Sequence, residues 1–177
     1  MGDEKKLKLD LGCGQNRKDG YLGVDISRGP NIDYVMDLEK YPWNFETESV
    51  EEIFCCHYIE HVTDFILFMD ECYRILIPEG KMMVIAPYWS SVRCWQDPTH
   101  KQSISESSFL YYNEGWRKAN KLDHYPIKSD FDFTYGYSLD PIWVGRSVEA
   151  QQFAIRHYVN VVNDLHITLT KRKVTPA

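Results

Sequence analysis

The sequence predicts an α/β fold built on a mostly parallel sheet. Three observations carry the prediction. Short apolar runs ending on turn residues recur through the first half, an amphipathic helix at Phe65–Ile77 separates two of them, and the chain closes on a strand–helix–strand pattern. The 177 residues and 44% hydrophobic content suit one domain, residues 1–177, with a real core.

Taken in order, Lys6–Leu11 alternates Leu7, Leu9 and Leu11 before a glycine-rich turn, the pattern of a first strand. Tyr21–Ile26, Ile32–Met36 and Val50–Cys56 read as the second, third and fourth strands. Each ends on a polar or turn residue, where an open parallel sheet collects ligand groups. Thr63 and Asp64 can cap the next helix, in which Phe65, Phe68, Met69, Cys72, Tyr73 and Leu76 fall at helical spacing. Pro78-Glu79-Gly80 breaks that helix, and Lys81–Ala86 reads as a buried fifth strand. Beyond Pro87, Tyr88–Lys101 reads as an irregular loop, Ser105–Gly115 as a short serine-capped helix and Phe131–Leu139 as a strand. Ser147–Val159 then reads as a helix and Asp164–Lys171 as a closing strand. Two late strands around a helix suit a mixed sheet edge.

A formal charge of −6 and a pI near 5.5 disfavour a nucleic-acid partner, which is held by clustered Lys and Arg. The basic run Lys171-Arg172-Lys173 reads as a solvated chain end. Five cysteines are an odd number, several inside apolar runs, and fit a reducing compartment. Met1–Lys6 is charged, and no apolar run is long enough to span a bilayer. The expectation is a soluble, cytoplasmic protein with no membrane partner. The twelve Tyr and five Trp gather between Tyr88 and Trp143, as core packing or as a ligand-facing surface.

Leu9-Asp10-Leu11-Gly12-Cys13-Gly14 is the most informative segment, a strand running directly into two glycines. Glycine permits positive φ and lets a ligand approach the backbone, although a plain tight turn needs the same residues. A dinucleotide site would want a third glycine and a helix facing the pyrophosphate. Here Arg17 holds the third-glycine position, and only nine residues separate Leu11 from Tyr21, too few for the usual crossover helix. Nine extended residues reach ~30 Å at ~3.3 Å each, so the first helix should be replaced by a turn or an extended path. Asp25, in Gly23-Val24-Asp25-Ile26, could accept the hydroxyls of a ribose. Asp37 could accept the amino group of adenine while Leu38 covers the ring. Either aspartate alone fits a cap or a turn, and their joint placement after successive strands is the signal.

The order LDLGCG, GVDI, MDLEKYPW, CCHYIEHV and ECYRILIPEGKMMVIAP resembles class I S-adenosylmethionine-dependent methyltransferases, in particular the methyltransferase-11-like group with a shortened first crossover. The resemblance covers roughly the first half of the chain, and Tyr158–Thr170 looks like the family's closing helix and strand. It implies a three-layer Rossmann-like sheet of seven strands, mostly parallel with the last antiparallel, the first helix reduced or absent, and S-adenosylmethionine across the strand ends. Carried over by position, Asp10, Gly12, Cys13 and Gly14 would meet the methionine part. Asp25, with Ile26 beside it, would hold the ribose, and Asp37 with Leu38 the adenine. Cys56 and His57 would line the pocket under the sulfonium. The sequence departs from the pattern in lacking a third glycine and in carrying Glu79-Gly80 where a glycine pair is expected.

Methyl transfer from a sulfonium is an in-line displacement that mainly needs positioning in a dry site, with a base when the acceptor is a hydroxyl or an ammonium. The candidates are His57, Glu60 and His61 after the fourth strand, and Asp97 and His100 after the fifth, with His100, Asp97 and His57 foremost. His57 and His61 at i and i+4 are not read as a metal site, because the motif lacks the glutamate directly after its first histidine. The Glu60-His61 pair is read as structural. The acceptor, a small molecule, sugar-like hydroxyl or peptide, is placed at Asp97–Lys101 among Tyr88, Trp89 and Trp95, though His100 would serve equally well as a loop anchor. The chain has neither the Asn/Asp-Pro-Pro-aromatic turn of nucleobase amino methylation nor the Pro-Cys of cytosine C5 methylation after its fourth strand. Two rivals stay open: a binding module without transfer activity, and a short-chain dehydrogenase.

Overall fold

The computed structural model describes residues 6–173. Its strands are β1 (Leu7–Leu11), β2 (Leu22–Asp25), β3 (Tyr34–Val35), β4 (Val50–Cys56), β5 (Leu76–Pro87), β6 (Phe131–Leu139) and β7 (Val162–Lys171). They form one seven-stranded sheet in the order β3-β2-β1-β4-β5-β7-β6. The first five pair in parallel, and β7 runs antiparallel between β5 and β6. The α/β class, the parallel body and the antiparallel last strand agree with the sequence reading.

The helices are α1 (Phe65–Ile75), α2 (Val92–Gln96), α3 (Glu114–Ala119) and α4 (Val148–His157). Leu9, Leu11, Val24, Ile53 and Cys55 from β1, β2 and β4 share a buried cluster with Met82, Val84 and Ala86 of β5. Phe68, Met69, Cys72 and Ile75 of α1 complete it. Asp64 starts α1 by accepting from Leu67 N–H at 2.9 Å, whereas Thr63 turns away and donates its own N–H to Glu39.

Between β1 and β2 there is no helix. Gly12 N–H donates to Val24 C=O at 2.8 Å, and the buried Asp10 carboxylate accepts from Lys18 N–H at 2.7 Å. The crossover is therefore held by a side chain standing in for helical hydrogen bonds. β3 shrinks to two residues at the sheet edge, shorter than expected, with Val35 half exposed.

Five expectations need correction. β5 begins at Leu76, and Pro78-Glu79-Gly80 lies inside it, because pairing jumps from Val50–Leu76 to Glu52–Lys81 and the extra residues bulge out with Glu79 at φ 66°. The helix before it ends two residues early for the same reason, since Leu76 is extended into the sheet. Tyr88–Lys101 contains α2, and Ser105–Gly115 is a 3-10 segment, Glu106–Tyr112, followed by an Asn113-capped α3. Lys171 is no solvated end: its buried Nζ donates to Leu76 C=O at 2.7 Å and pairs with Glu48 at 3.1 Å. Arg172 pairs with Asp130 and Asp132, and Lys173 with Glu79. The first five residues lie outside the described part. Within it, no helix is long and apolar enough to cross a membrane.

The loop leading from β3 toward β4 is fixed by one buried carboxylate. Glu71 on α1 accepts from Trp43 N–H at 2.6 Å and from Arg74 Nε and Nη2 at 2.9 and 2.6 Å. Glu71→Ala strands the buried Trp43 N–H and leaves Arg74 only Trp43 C=O and Thr47 as partners, so it should destabilise the fold by about 2–4 kcal/mol in urea unfolding with an unchanged m-value. A loss under ~0.5 kcal/mol would show that the network contributes nothing net.

Candidate active site

The carboxyl ends of β1, β2, β3 and β4 surround one cavity of about 210 Å³. Gly12, Asp25, Ile26, Met36, Asp37, Leu38, Glu39, Tyr58 and His61 line it. Parallel register explains the convergence, since Leu11 stands opposite both Val24 and Cys55 and the three chains leave the sheet at one level. Gly12 has φ 67°, and a Cβ there would sit 2.4 Å from the Tyr58 ring. Conformation and space both exclude a side chain.

Asp25 is committed on both oxygens. Oδ2 accepts from Gly14 N–H at 3.0 Å, and Oδ1 from Ser27 N–H and Oγ–H at 2.9 and 2.7 Å. Burial pushes this carboxyl up, but the donors from Ser27, Gly14 and Ile26 outweigh it and hold the pKa below the usual range. Three hydrogen bonds of good geometry, one from Gly14 and two from Ser27, take most of the four lone-pair directions of the carboxylate. Asp37 Oδ1 accepts from Glu39 N–H at 3.0 Å, with Lys40 3.4 Å from Oδ2.

Asp10, Cys13, Gly14 and Cys56 do not line this cavity. Asp10 faces Lys18 N–H, and burial raises its pKa. Burial also pushes the Cys13 thiol up to about 11, so it stays protonated at neutral pH. Gly14 acts through Asp25, while Cys56 is only half buried at the end of β4.

His57 opens a second hollow of about 320 Å³, lined by His57, Glu60, His61, Pro87, Arg93, Gln96, Asp97 and His100. His61 lines both. His57 holds φ 53°, rare for a side-chain-bearing residue, while its N–H still donates to Ile85 C=O at 2.9 Å. The following 3-10 turn, Ile59–His61, buries Glu60, whose Oε1 lies 3.2 Å from His57 Nδ1. That hydrogen bond raises the His57 pKa against the opposing effect of burial. Glu60 C=O accepts from Lys101 and Gln102 N–H at 2.7 and 3.0 Å, drawing the segment after β5 over the turn after β4. His57 and the distant Asp97–His100 turn thus border one hollow.

The aromatic residues expected beside them lie elsewhere. Trp95 is 69% exposed, and Tyr88 and Trp89 border a separate 680 Å³ groove with Tyr135 and Tyr137. The hollow at His57 and His100 is polar. Tyr58, Glu39, Arg93 and Gln96 were not anticipated. Tyr58, two residues past a strand end that follows a glycine turn, carried a usable signal, whereas Arg93 and Gln96 depend on α2, which the sequence did not announce.

Residues 9–84 match the model of the family described as methyltransferase domain. This stretch, less than half of the chain, is similar to that family. The same architecture occurs in a SAM-dependent methyltransferase from Archaeoglobus fulgidus, with TM-score 0.65, 17% identity, and 94% of this chain and 86% of that one covered. It occurs also in the S-adenosylmethionine-dependent methyltransferase from Mesorhizobium loti, with TM-score 0.57 and 16% identity over 94% and 91% of the two chains. A third example is phosphoethanolamine N-methyltransferase 2 from Haemonchus contortus, solved with S-adenosyl-L-methionine, with TM-score 0.51, 16% identity, and 95% of this chain and 49% of that one covered. No curated protein matches the chain by sequence. At these identities the structural likenesses establish the fold alone.

The two glycines of the turn separate by experiment. Both have positive φ, but a Cβ at Gly14 meets nothing within 4 Å, while one at Gly12 strikes Tyr58. Gly14→Ala should cost about 1 kcal/mol and Gly12→Ala at least about 2, read as thermal or urea unfolding. Equal losses would mean that the Tyr58 contact does not constrain the turn.

Proposed function

We propose that the chain is a single-domain methyltransferase that takes S-adenosylmethionine in the Gly12–Asp25–Asp37 cavity and a small-molecule, sugar-like or peptide acceptor in the adjoining polar hollow. The observation that carries this reading is the convergence of Gly12, Asp25, Asp37 and Leu38, from three successive strand ends, on one cavity that shares His61 with a second. The Archaeoglobus and Haemonchus proteins, described with this cofactor on the same fold, support it.

The residues present suit an adenosyl group. Met36, Leu38, Ile26 and Tyr58 give it apolar contact, Asp25 offers the remaining acceptor for a ribose hydroxyl, and Asp37 stands ready for the amino group of adenine. When bound, S-adenosylmethionine supplies an electrophilic methyl group on a sulfonium. A dinucleotide is poorly served, since no helix follows β1 to face a pyrophosphate.

On the acceptor side, Glu60 Oε1 can only accept, so the hydrogen between it and His57 belongs to Nδ1. The Nε2 lone pair of the half-exposed ring is then free to take the proton of an incoming hydroxyl or ammonium. Glu60 fixes tautomer and ring orientation. His100 and Asp97, proposed from the sequence beside His57, sit across the hollow, where His100 Nδ1 is held by Cys94 C=O at 2.9 Å and Asp97 by Thr99. They act as positioning residues.

S-adenosylmethionine should raise the melting temperature, and Asp25→Ala or Asp37→Ala should weaken its affinity by roughly tenfold or more, measured calorimetrically. Incubation with an acceptor library should release S-adenosylhomocysteine. His57→Gln should lower turnover ~10²–10⁴-fold while sparing cofactor affinity. An unchanged melting temperature at millimolar cofactor would sink the reading, and binding with no S-adenosylhomocysteine from any acceptor would favour the inactive binding module.

A further inference from the structure

We propose that Glu60, His61 and His100 form a site for a divalent first-row metal ion, bound through one carboxylate oxygen and two imidazole nitrogens, with coordination positions open to an oxygen of the acceptor. One ligand atom from each of the three lies within 4.8 Å of the others. Ligands of one ion at ~2.1 Å stand about 3–4 Å apart, so small side-chain rotations close the set. In the sequence only His57 and His61 stand at a ligand-like spacing. The third group comes from beyond β5, and no local spacing could reveal it.

Three features go beyond the proximity of the groups. Glu60 is 1% exposed, and its Oε2 makes no hydrogen bond among the described residues although Oε1 is used by His57. A buried carboxylate oxygen left without a hydrogen-bond partner is costly, and a bound cation would supply that partner. Second, both imidazoles are fixed in the tautomer that turns Nε2 into the donor atom. Cys94 C=O can only accept, so His100 Nδ1 carries the hydrogen. Thr99 Oγ spends its one hydrogen on Asp97 Oδ1 at 2.7 Å, so it accepts from His61 Nδ1 at 3.0 Å. A carbonyl behind one ring, and a hydroxyl backed by a carboxylate behind the other, are the outer partners that metal-bound histidines use. Third, the frame is rigid: Glu60 C=O receives Lys101 and Gln102 N–H, and the His61 and His100 rings meet edge to face at 4.8 Å.

The surrounding charge permits a cation. Asp97 Oδ2 lies 3.8 Å from His100 Nε2, and Arg93, which also borders the hollow, is neutralised by Asp164 at 2.8 Å. Two imidazoles with one carboxylate leave open positions on a zinc-like ion. An acceptor oxygen bound there would lose its proton more readily, with His57 beside it, which makes the preferred acceptor a hydroxyl compound able to ligate a metal, such as a vicinal diol. This role rests on the proposed methyl transfer; the site itself does not.

The test uses the whole chain, stripped with chelator and titrated calorimetrically with zinc, then manganese, with metal content checked by elemental analysis after desalting. One equivalent is expected. His100→Ala and Glu60→Gln should weaken binding at least tenfold, and Thr99→Val, which leaves all three ligands in place, should weaken it about 10- to 100-fold. Circular dichroism and melting curves screen the variants for folding, and His61→Asn replaces any that fails. Absence of stoichiometric binding, or binding untouched by these substitutions, overturns the site. Cofactor titration of the same samples separates the two proposals: S-adenosylmethionine bound without metal defeats only the ion, and metal bound without S-adenosylmethionine defeats only the methyl transfer.

Discussion

The parallel pairing of β1 with β2 on one side and β4 on the other is the constraint on which the rest of the site depends. Leu11 faces Val24 and Cys55 across the two interfaces, so Gly12, Asp25 and the Cys56–His57 segment leave the sheet side by side. Buried Leu9, Leu11, Val24, Ile53 and Cys55 pin that register, since a one-residue slip would turn each of them away from the core. The same slip would carry Asp25 to the other face. Core packing and site geometry are therefore one condition, set by the same five side chains.

Without a helix after β1, the chain needs other partners for its loop amides, and aspartates provide them. Asp10 accepts from Lys18, Asp33 from Gly23 and Asp25 from Gly14, at 2.7, 2.7 and 3.0 Å. Bonds to an ionised acceptor contribute ~1.5–3 kcal/mol each, comparable to helix caps. A rigid strand tip is the result. The consequence for Asp25 is that the groups ordering the turn occupy most of the acceptor capacity a ligand would want. Ordering and recognition compete for one carboxylate, and the single direction left open favours a ligand that needs one strong hydrogen bond there.

What could be read from the sequence was what local pattern controls. The β4 boundaries, α1 with its Asp64 cap, β6, and the missing crossover helix followed from alternation, spacing and a residue count. The bulge at Pro78-Glu79-Gly80 was hidden because the same residues end helices and interrupt strands, and only pairing with β4 decides between the two. Lys171 was misread because its partners, Leu76 C=O and Glu48, lie about a hundred residues away. In the cavity, Gly12, Asp25, Asp37 and Leu38 sit at strand ends that sequence could place. Asp10, Cys13 and Cys56 belong to the same segments but do not line that cavity, and Asp10 instead accepts from Lys18 N–H. The wall joining Glu60 to His100 is held by long-range backbone bonds that leave no sequence signature.

Charge separates the ligands this fold could hold. Asp25, Asp37 and Glu39 bring three carboxylates to the first cavity, and among the described residues no Lys or Arg lines it. A unit charge about 6 Å from a carboxylate interacts by roughly 3 kcal/mol at an effective dielectric near 20, with the sign set by the ligand. A pyrophosphate would meet repulsion from all three groups and find no helix N-terminus to offset it. A ligand carrying a sulfonium and an ammonium meets attraction from the same field. The shared wall at His61 extends the argument, because the neighbouring hollow holds its own buried carboxylate in Glu60. Two adjoining acidic compartments thus meet at one imidazole, which Thr99 fixes. A cationic ligand in either compartment would offset the carboxylates there, which an anionic one cannot do.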